Sequence, residues 1–269
     1  MKKLIKKLMG AVTVATLVVS MTVGNSLSVL AISMDEAVMT ANEMKKDAKS
    51  RVTGTNKTVT VKKVAFAHSY DYNQSTFNAY YNSDKNRAEV DGKKVTVNGT
   101  CTEIACMSYI EYMVRAKKVH FTKILGNALP STDYQRMEQL VFRPLVNNAV
   151  ISGYMPKKSG QYVGTVVGAS DDLLKYFLET RGVWVKASYS SNNSSAWTVL
   201  NDKIKNDEEP VVADFNIEDD KNDAAGHSML ANGLYKVTVT YTKDGKEKSK
   251  TFDYIRVNDG WNNTTSYQY

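Results

Sequence analysis

One segment, which begins at Cys101, constrains the fold more than any other part of the chain. Residues 102–117 contain no glycine or proline and many helix formers. Apolar side chains occupy nearly every side of the helix that they predict, and such a helix has to be buried. We therefore predict a central helix over residues 101–119, around which the rest of the domain packs.

The remaining pattern predicts an α+β fold. Residues 235–242 and 250–258 alternate like strands around a turn at 243–246, which is typical of an antiparallel hairpin. Helices are expected mostly earlier, and this segregation favours helices packed against an antiparallel sheet. Further expected helices are 32–49, 133–147, 170–179 and 196–206; strands are 58–61, 64–67, 184–187, 210–213 and 229–233; loops are 70–87 and 188–195, with a turn at Asp91-Gly92.

The first 31 residues have the composition of an export signal. Residues 1–7 are basic, residues 8–24 are uncharged and mostly apolar, and residues 29–31 end in the small side chain of Ala31. We predict cleavage after Ala31 and a secreted bacterial protein. A retained membrane anchor is the alternative, although the apolar stretch falls just short of the ~18 residues that suggest a spanning helix. After cleavage we expect no association with a membrane.

The charge of the chain gives little support to nucleic-acid binding. The formal charge is +7, but four of the 35 basic residues lie in residues 1–31, where there is no acidic residue. The remainder has 31 basic and 28 acidic residues, a net charge of +3, and contains no long Lys/Arg run. We therefore expect no nucleic-acid partner.

The two cysteines, Cys101 and Cys106, are expected to be free thiols. Five positions along a helix separate alpha carbons by ~8–9 Å, whereas a disulfide requires less than ~7 Å. Cys106 then lies within the buried helix and is interpreted as a core residue, while Cys101 lies at the helix start.

Three short motifs carry side chains suited to nucleophilic catalysis: Gly99-Thr100-Cys101, Gly226-His227-Ser228 and Asn258-Asp259-Gly260-Trp261. A cysteine at a helix N-terminus faces unpaired N–H groups, which favour the thiolate and can also donate to an oxyanion. A nucleophilic cysteine needs an imidazole as base and acid, and the imidazole needs an acceptor that orients it. The predicted hairpin brings His227 near Asn258 and Asp259.

This arrangement resembles the papain-like cysteine peptidase superfamily, in particular its secreted bacterial branches similar to streptopain and the double-glycine leader peptidases. The resemblance covers about residues 90–262. It implies a papain-like fold, in which a central helix carrying the cysteine packs against an antiparallel sheet carrying the histidine and an Asn or Asp. It also implies that Cys101 is the nucleophile, that His227 is the general base and acid, and that Asn258 or Asp259 orients His227.

The chain departs from the family pattern at two points. The family usually has a glutamine a few residues before the cysteine as an oxyanion donor, but residues 92–97 contain none. Asn98 is the nearest amide side chain, so Asn98 and the backbone N–H of Cys101 are the expected donors. Counting back from Trp261 favours Asp259 as the orienting residue, whereas a Val-Asn-x-Gly-Trp alignment favours Asn258, and both are retained.

These observations predict a secreted cysteine peptidase that acts on peptide or protein substrates through an acyl-thioester and is a monomer. A cell-wall peptide hydrolase, an amide acyltransferase and an inactive binding protein are the alternatives. We expect residues 81–269 to form the catalytic domain, and residues 32–80 to be an extension or a short pro-segment. No cofactor and no metal is expected: His68 and His120 are interpreted as structural, and the acidic residues at 218–223 as a solvated loop.

Overall fold

The computed structural model describes residues 15–22, 39–126, 134–166, 168–190, 198–218, 224–261 and 266–268, which form an α+β structure. The helices are α1 (Ala41–Ser50), α2 (Gln74–Ser83), α3 (Cys101–Arg115), α4 (Phe121–Leu125), α5 (Tyr134–Met137), α6 (Arg143–Ile151) and α7 (Ser170–Glu179). The strands are β1 (Ala15–Thr22), β2 (Thr55–Phe66), β3 (Glu89–Val90), β4 (Lys93–Lys94), β5 (Val97–Asn98), β6 (Lys157–Lys158), β7 (Gln161–Val163), β8 (Lys186–Ser190), β9 (Val211–Glu218), β10 (Ala224–Lys243), β11 (Lys246–Asn258) and β12 (Ser266–Gln268). Single π-helical turns occupy Glu138–Phe142 and Asp202–Asn206.

The main sheet is mixed, with the order β12-β11-β10-β9-β1-β8, and β2 pairs with β10 beside this row. The strands that carry His227 and Asn258 are antiparallel, as expected. The sheet also has a parallel part, because β1 runs parallel to both β8 and β9. Strand β1 lies within the predicted export signal, whose other residues are outside the described part of the chain.

Strand β10 is long enough to serve two parts of the sheet. Its first half pairs with β9, and its second half pairs with β2. The register shifts at Asn232, between the two halves, where the Asn232 carbonyl accepts from the N–H of Ala67 at 2.7 Å. Beyond this irregularity, β2, β10 and β11 form a three-stranded extension covered on one face by α1.

Helix α3 forms the centre of the larger hydrophobic core. Every residue from Cys101 to Val114 is buried, and α3 packs against β9, β10 and α7. The helix begins at the predicted residue but ends at Arg115, earlier than expected. It ends there because Lys117 adopts a positive φ of 58°, which a continuing helix does not allow.

The structure corrects several other predictions of secondary structure. Residues 70–87 were expected to be loops, but they contain α2, which Asn73 caps by accepting from the N–H of Thr76 at 3.1 Å. The Asn, Ser and Tyr content of this stretch obscured a buried i,i+4 pair, Phe77 and Tyr81. Segments 58–61 and 64–67 are parts of one strand, β2, and the expected helix over 32–49 is described only from Ala41. The expected loop at 188–195 is still β8 up to Ser190, and the rest of it is outside the described residues.

None of the helices in the described part of the chain has both the length and the apolar composition needed to cross a bilayer.

We predict that Ile110→Ala, in the middle of α3, will lower the free energy of unfolding by about 2–5 kcal/mol, because it removes a buried side chain and leaves a cavity. Ile110 is 0 % exposed. The matched control is Ile151→Ala, because Ile151 ends α6 and is 71 % exposed; its effect should stay within about 0.5 kcal/mol. Chemical denaturation of both variants measures the difference, and equal effects would contradict this description of the core.

Candidate active site

Cys101 is the first residue of α3, and a tight turn at Gly99 precedes it. Gly99 adopts a φ of +67°, and the N–H of Gly164 donates to the carbonyl of Asn98 at 3.0 Å. A side chain at Gly99 would approach that Gly164 nitrogen to 3.1 Å. The turn therefore requires glycine and fixes where α3 begins.

The start of α3 lies against the strand that carries His227. The hydroxyls of Thr102 and Ser228 are 2.7 Å apart, and Ser228 Oγ donates to Asp214 Oδ1 at 2.5 Å. The main-chain N–H of Ser228 also lies close enough to the Cys101 thiol to lower its pKa, although burial outweighs this effect. These contacts place Cys101 beside the residue that follows His227, so the two sequence motifs are neighbours; among the described residues, no hydrogen bond joins the Cys101 thiol to the His227 ring.

The His227 ring is held on one edge and on one face. Its Nε2 lies 2.7 Å from the main-chain oxygen of Asp259, and the Trp261 ring stacks on it with centroids 3.8 Å apart and planes inclined by 19°. A carbonyl oxygen only accepts hydrogen bonds, so Nε2 carries the proton of the neutral ring. The other nitrogen, Nδ1, is then the basic one.

Asp259 contacts His227 through its backbone, which the sequence did not predict. The Asp259 carboxylate instead accepts from the N–H of Trp261 at 2.9 Å. The Asn258 side chain points elsewhere: its Nδ2 donates to Ser69 Oγ at 2.9 Å and to the carbonyl of Tyr70 at 2.8 Å. Of the two candidates, Asp259 is therefore the one beside His227.

Residues 67–74, between β2 and α2, clasp the loop 258–261 that carries this carbonyl. The N–H of Gln74 donates to Gly260 O at 2.6 Å, and Asn73 Nδ2 donates to Trp261 O at 2.6 Å. On the other side of the loop, Asn258 Nδ2 donates to Ser69 Oγ and to the carbonyl of Tyr70. The clasp thus holds both sides of the loop and fixes the Asp259 carbonyl against His227.

Asn98 does not point toward a site beside Cys101. It is exposed, and its Oδ1 accepts from the adjacent N–H of Gly99 at 2.8 Å. Asn78 on α2 is better placed, because its Oδ1 accepts from the hydroxyl of Thr100, the residue before Cys101, at 2.6 Å. Asn78 is buried, and no partner for its Nδ2 occurs within the described residues. Sequence reasoning missed Asn78 because it assigned α2 to a loop.

Burial keeps both catalytic candidates neutral in this conformation. It raises the pKa of Cys101 to about 11, and the charges of Glu103 and Asp214 act in the same direction. Burial also lowers the pKa of His227 to about 4. The expected stabilisation of the thiolate by the helix N-terminus is therefore outweighed here, and the pair is a thiol and an imidazole.

Glu103 is the most unusual carboxyl near the site. It is 0 % exposed, and its Oε1 accepts from Thr165 Oγ1 at 2.5 Å. Its Oε2 is buried and has no hydrogen-bond partner in the described part of the chain. Desolvation raises the pKa of Glu103 to about 7. Asp71 in the clasp has a pKa raised to the same value by desolvation and by the nearby charge of Asp259.

The remaining predicted residues lie outside this group. Cys106 is 0 % exposed with its sulfur 3.8 Å from Ser170 O, and both cysteines are free, as expected. His68 and His120 are exposed, and the His120 ring forms a hydrogen bond with Thr122 Oγ1.

Among the described residues, no group of three or more His, Cys, Asp or Glu side chains is placed to hold a metal ion. Residues 219–223 of the acidic stretch are outside the described part of the chain.

Comparison of the chain with models of protein families, with curated proteins and with solved structures found no match.

We predict that Glu103→Gln will stabilise the protein at pH 8 and have little effect at pH 4. A carboxyl whose pKa rises from 4.5 to about 7 on folding costs stability as pH increases through that window, because the unfolded chain releases its proton first. The amide keeps the acceptor for Thr165 and removes the charge. Melting temperatures of wild type and variant from pH 4 to pH 8 test this; a constant difference across the range would contradict it.

Proposed function

We propose that the chain is a secreted papain-like cysteine peptidase that hydrolyses peptide bonds with Cys101 as nucleophile and His227 as general base and acid. The observation that carries this proposal is the contact between the start of the buried helix α3, where Cys101 lies, and strand β10, which carries His227. The His227 ring is oriented by a carbonyl and shielded by Trp261. This combination of nucleophile, oriented base and shielding from water suits acyl transfer.

Attack begins from the neutral pair. The Cys101 sulfur bonds to the substrate carbonyl carbon while Nδ1 of His227 takes the thiol proton. The resulting imidazolium is stabilised because Nε2–H already donates to the Asp259 carbonyl at 2.7 Å. A neutral imidazole is the form required for this step, and the lowered pKa of His227 supplies it at all pH values above about 4.

The developing oxyanion needs donors, and we assign the backbone N–H of Cys101 and the side-chain amide of Asn78. The Asn78 Oδ1 is occupied by the Thr100 hydroxyl, so the orientation of the amide is fixed and its NH₂ remains available. Donors that are fixed before the reaction stabilise the oxyanion most effectively.

The cycle is completed by hydrolysis. Collapse of the tetrahedral species breaks the C–N bond, and the leaving amine takes the proton from His227. Water then attacks the thioester, His227 removes its proton, and that proton returns to the Cys101 sulfur as the carboxylic acid leaves. An acyltransferase would differ only in replacing water with an amine at this step.

A second candidate, an inactive binding protein, is favoured by one observation. Cys101 is only 9 % exposed, and its pKa is raised to about 11. A thiol in that state reacts slowly unless a bound substrate changes its surroundings.

We predict that Cys101→Ala and His227→Ala will each abolish cleavage in a fluorogenic peptide library, whereas the control Cys106→Ala will keep it. The library must first identify a peptide that the wild type cleaves. A peptidyl epoxide should inactivate the wild type by labelling Cys101, while iodoacetamide labels slowly at pH 7 because the thiol is buried and protonated. Labelling by neither reagent, together with no cleavage, would favour the binding protein.

For Asn78→Ala we expect kcat to fall about 10²–10³-fold with KM nearly unchanged, because the lost Nδ2 donor acts only on the oxyanion. The bond to the Thr100 hydroxyl is lost as well, and the melting temperature of the variant measures that loss separately. Asn98→Ala is the matched control and should retain kcat within about threefold, since the Asn98 side chain is exposed and accepts from its neighbour Gly99. Steady-state kinetics on one peptide measures both variants. The reverse order of effects would reassign the donor to Asn98.

A further inference from the structure

The modest net charge conceals a strong separation of charge between two parts of the molecule. We define the arm as residues 41–66 and 235–254, which comprise α1, β2 and the paired halves of β10 and β11. The arm contains twelve basic and five acidic residues, a charge of +7. The rest of residues 32–269 has 19 basic and 23 acidic residues, a charge of −4.

The basic residues at the hairpin tip share one face of the sheet. Side chains alternate along a strand, so every second residue points to the same side. Residues 246, 248 and 250 of β11 are in phase with Phe252, which packs beneath α1, and Lys243 lies opposite Lys246 in the register. Four exposed lysines therefore extend the α1 side of the arm toward its tip: Lys243, Lys246, Lys248 and Lys250.

Helix α1 adds three exposed lysines to the same side. Met44 and Ala48 face the sheet, so Lys45, Lys46 and Lys49 project away from it into solvent. None of the seven lysines forms an ion pair among the described residues. We call these seven side chains the lysine face.

The acidic residues of α1 do not neutralise the lysine face. Glu43 is engaged in the capping box with Thr40. Asp47 accepts from Arg51 Nε at 2.7 Å and from the Tyr254 hydroxyl at 2.6 Å. Glu43 offsets part of the charge of Lys46, but seven lysines outnumber the two carboxylates of α1, so the potential on this side stays positive.

The opposite face of the same strands has a different composition. Thr60, Thr238 and Thr251 lie side by side across its three strands, and the Thr238 and Thr251 hydroxyls are 2.8 Å apart. Lys236 on this face lies 3.7 Å from Asp253. Lys62 pairs with Lys236 on this face, so the opposite face carries two lysines where the lysine face carries seven.

The lysine face suits a flexible polyanion better than a lipid bilayer. The large apolar side chains that are exposed among the described residues, Tyr80, Ile151, Val166, Tyr176 and Trp184, all lie outside the arm. Nothing on the arm is therefore available to insert into lipid. Alternate residues of one strand are ~7 Å apart, a spacing that a flexible chain with repeating phosphate groups can follow.

We propose that the lysine face binds an extended anionic polymer rich in phosphate groups, and that the arm thereby tethers the protein to a polyanionic surface. Recognition is electrostatic: each lysine that neutralises a phosphate releases a condensed counterion, so affinity depends steeply on salt. The proposal is independent of catalysis, and Cys101→Ala should bind as tightly as the wild type.

The test is the binding of fluorescently labelled inorganic polyphosphate to the purified full chain, followed by anisotropy over a range of NaCl concentrations. The tip variant replaces the lysines at 243, 246, 248 and 250 with glutamine. We expect it to weaken binding at least tenfold at low salt and to reduce the slope of log Kd against log salt by up to about 3. All four side chains are exposed, so folding should be unaffected, which melting temperature checks.

A matched control removes the same charge elsewhere. Lys117, Lys123, Lys158 and Lys175 are exposed, lie outside the arm and form no ion pair among the described residues. Their replacement by glutamine should change Kd less than threefold. Equal loss in both variants would show that only net charge matters and would overturn the proposal. Tighter binding to anionic vesicles or duplex DNA than to polyphosphate would overturn it as well.

Discussion

The candidate site depends on one chain of hydrogen bonds that joins the central helix to the sheet. Thr102 on α3 meets Ser228 on β10, and Ser228 donates to the buried carboxylate of Asp214 on β9. Because all three residues are buried, no water competes for these bonds, and each partner left alone would be costly. These buried hydrogen bonds, and not a surface contact, therefore hold the start of α3 against the strand that carries His227.

The orientation of the His227 ring also depends on buried hydrogen bonds. Its orienting acceptor is a main-chain carbonyl, and a carbonyl can be aimed only by holding the loop that contains it. The clasp does this with backbone and amide donors on both sides of Gly260. The segment 32–80 was left open by the sequence as an extension or a pro-segment. Its described part, residues 39–80, supplies a sheet strand, the clasp and Asn78.

How far the sequence predicted this molecule depends on the range of each signal. The all-round apolar pattern of α3 and the turn residues of the β10–β11 hairpin act locally, and both elements were predicted. Helix α2 was missed because its apolar residues are few and separated by polar ones. The roles of Asn78 and of the Asp259 carbonyl depend on contacts between distant segments, which no spacing in the sequence encodes. The pKa of Cys101 was predicted in the wrong direction, since helix position is visible in a sequence but depth of burial is not.

Strand β10 has a geometric consequence, because a single strand carries both His227 and Lys243. Sixteen residues separate them, and at ~3.3 Å per residue the histidine lies at most about 50 Å from the hairpin tip. If the tip is bound, the candidate active site can reach only targets within that radius. Within it, a target attached to the same surface is met at the effective concentration of a tethered pair. The length of one strand would then define the area over which a bound molecule can work.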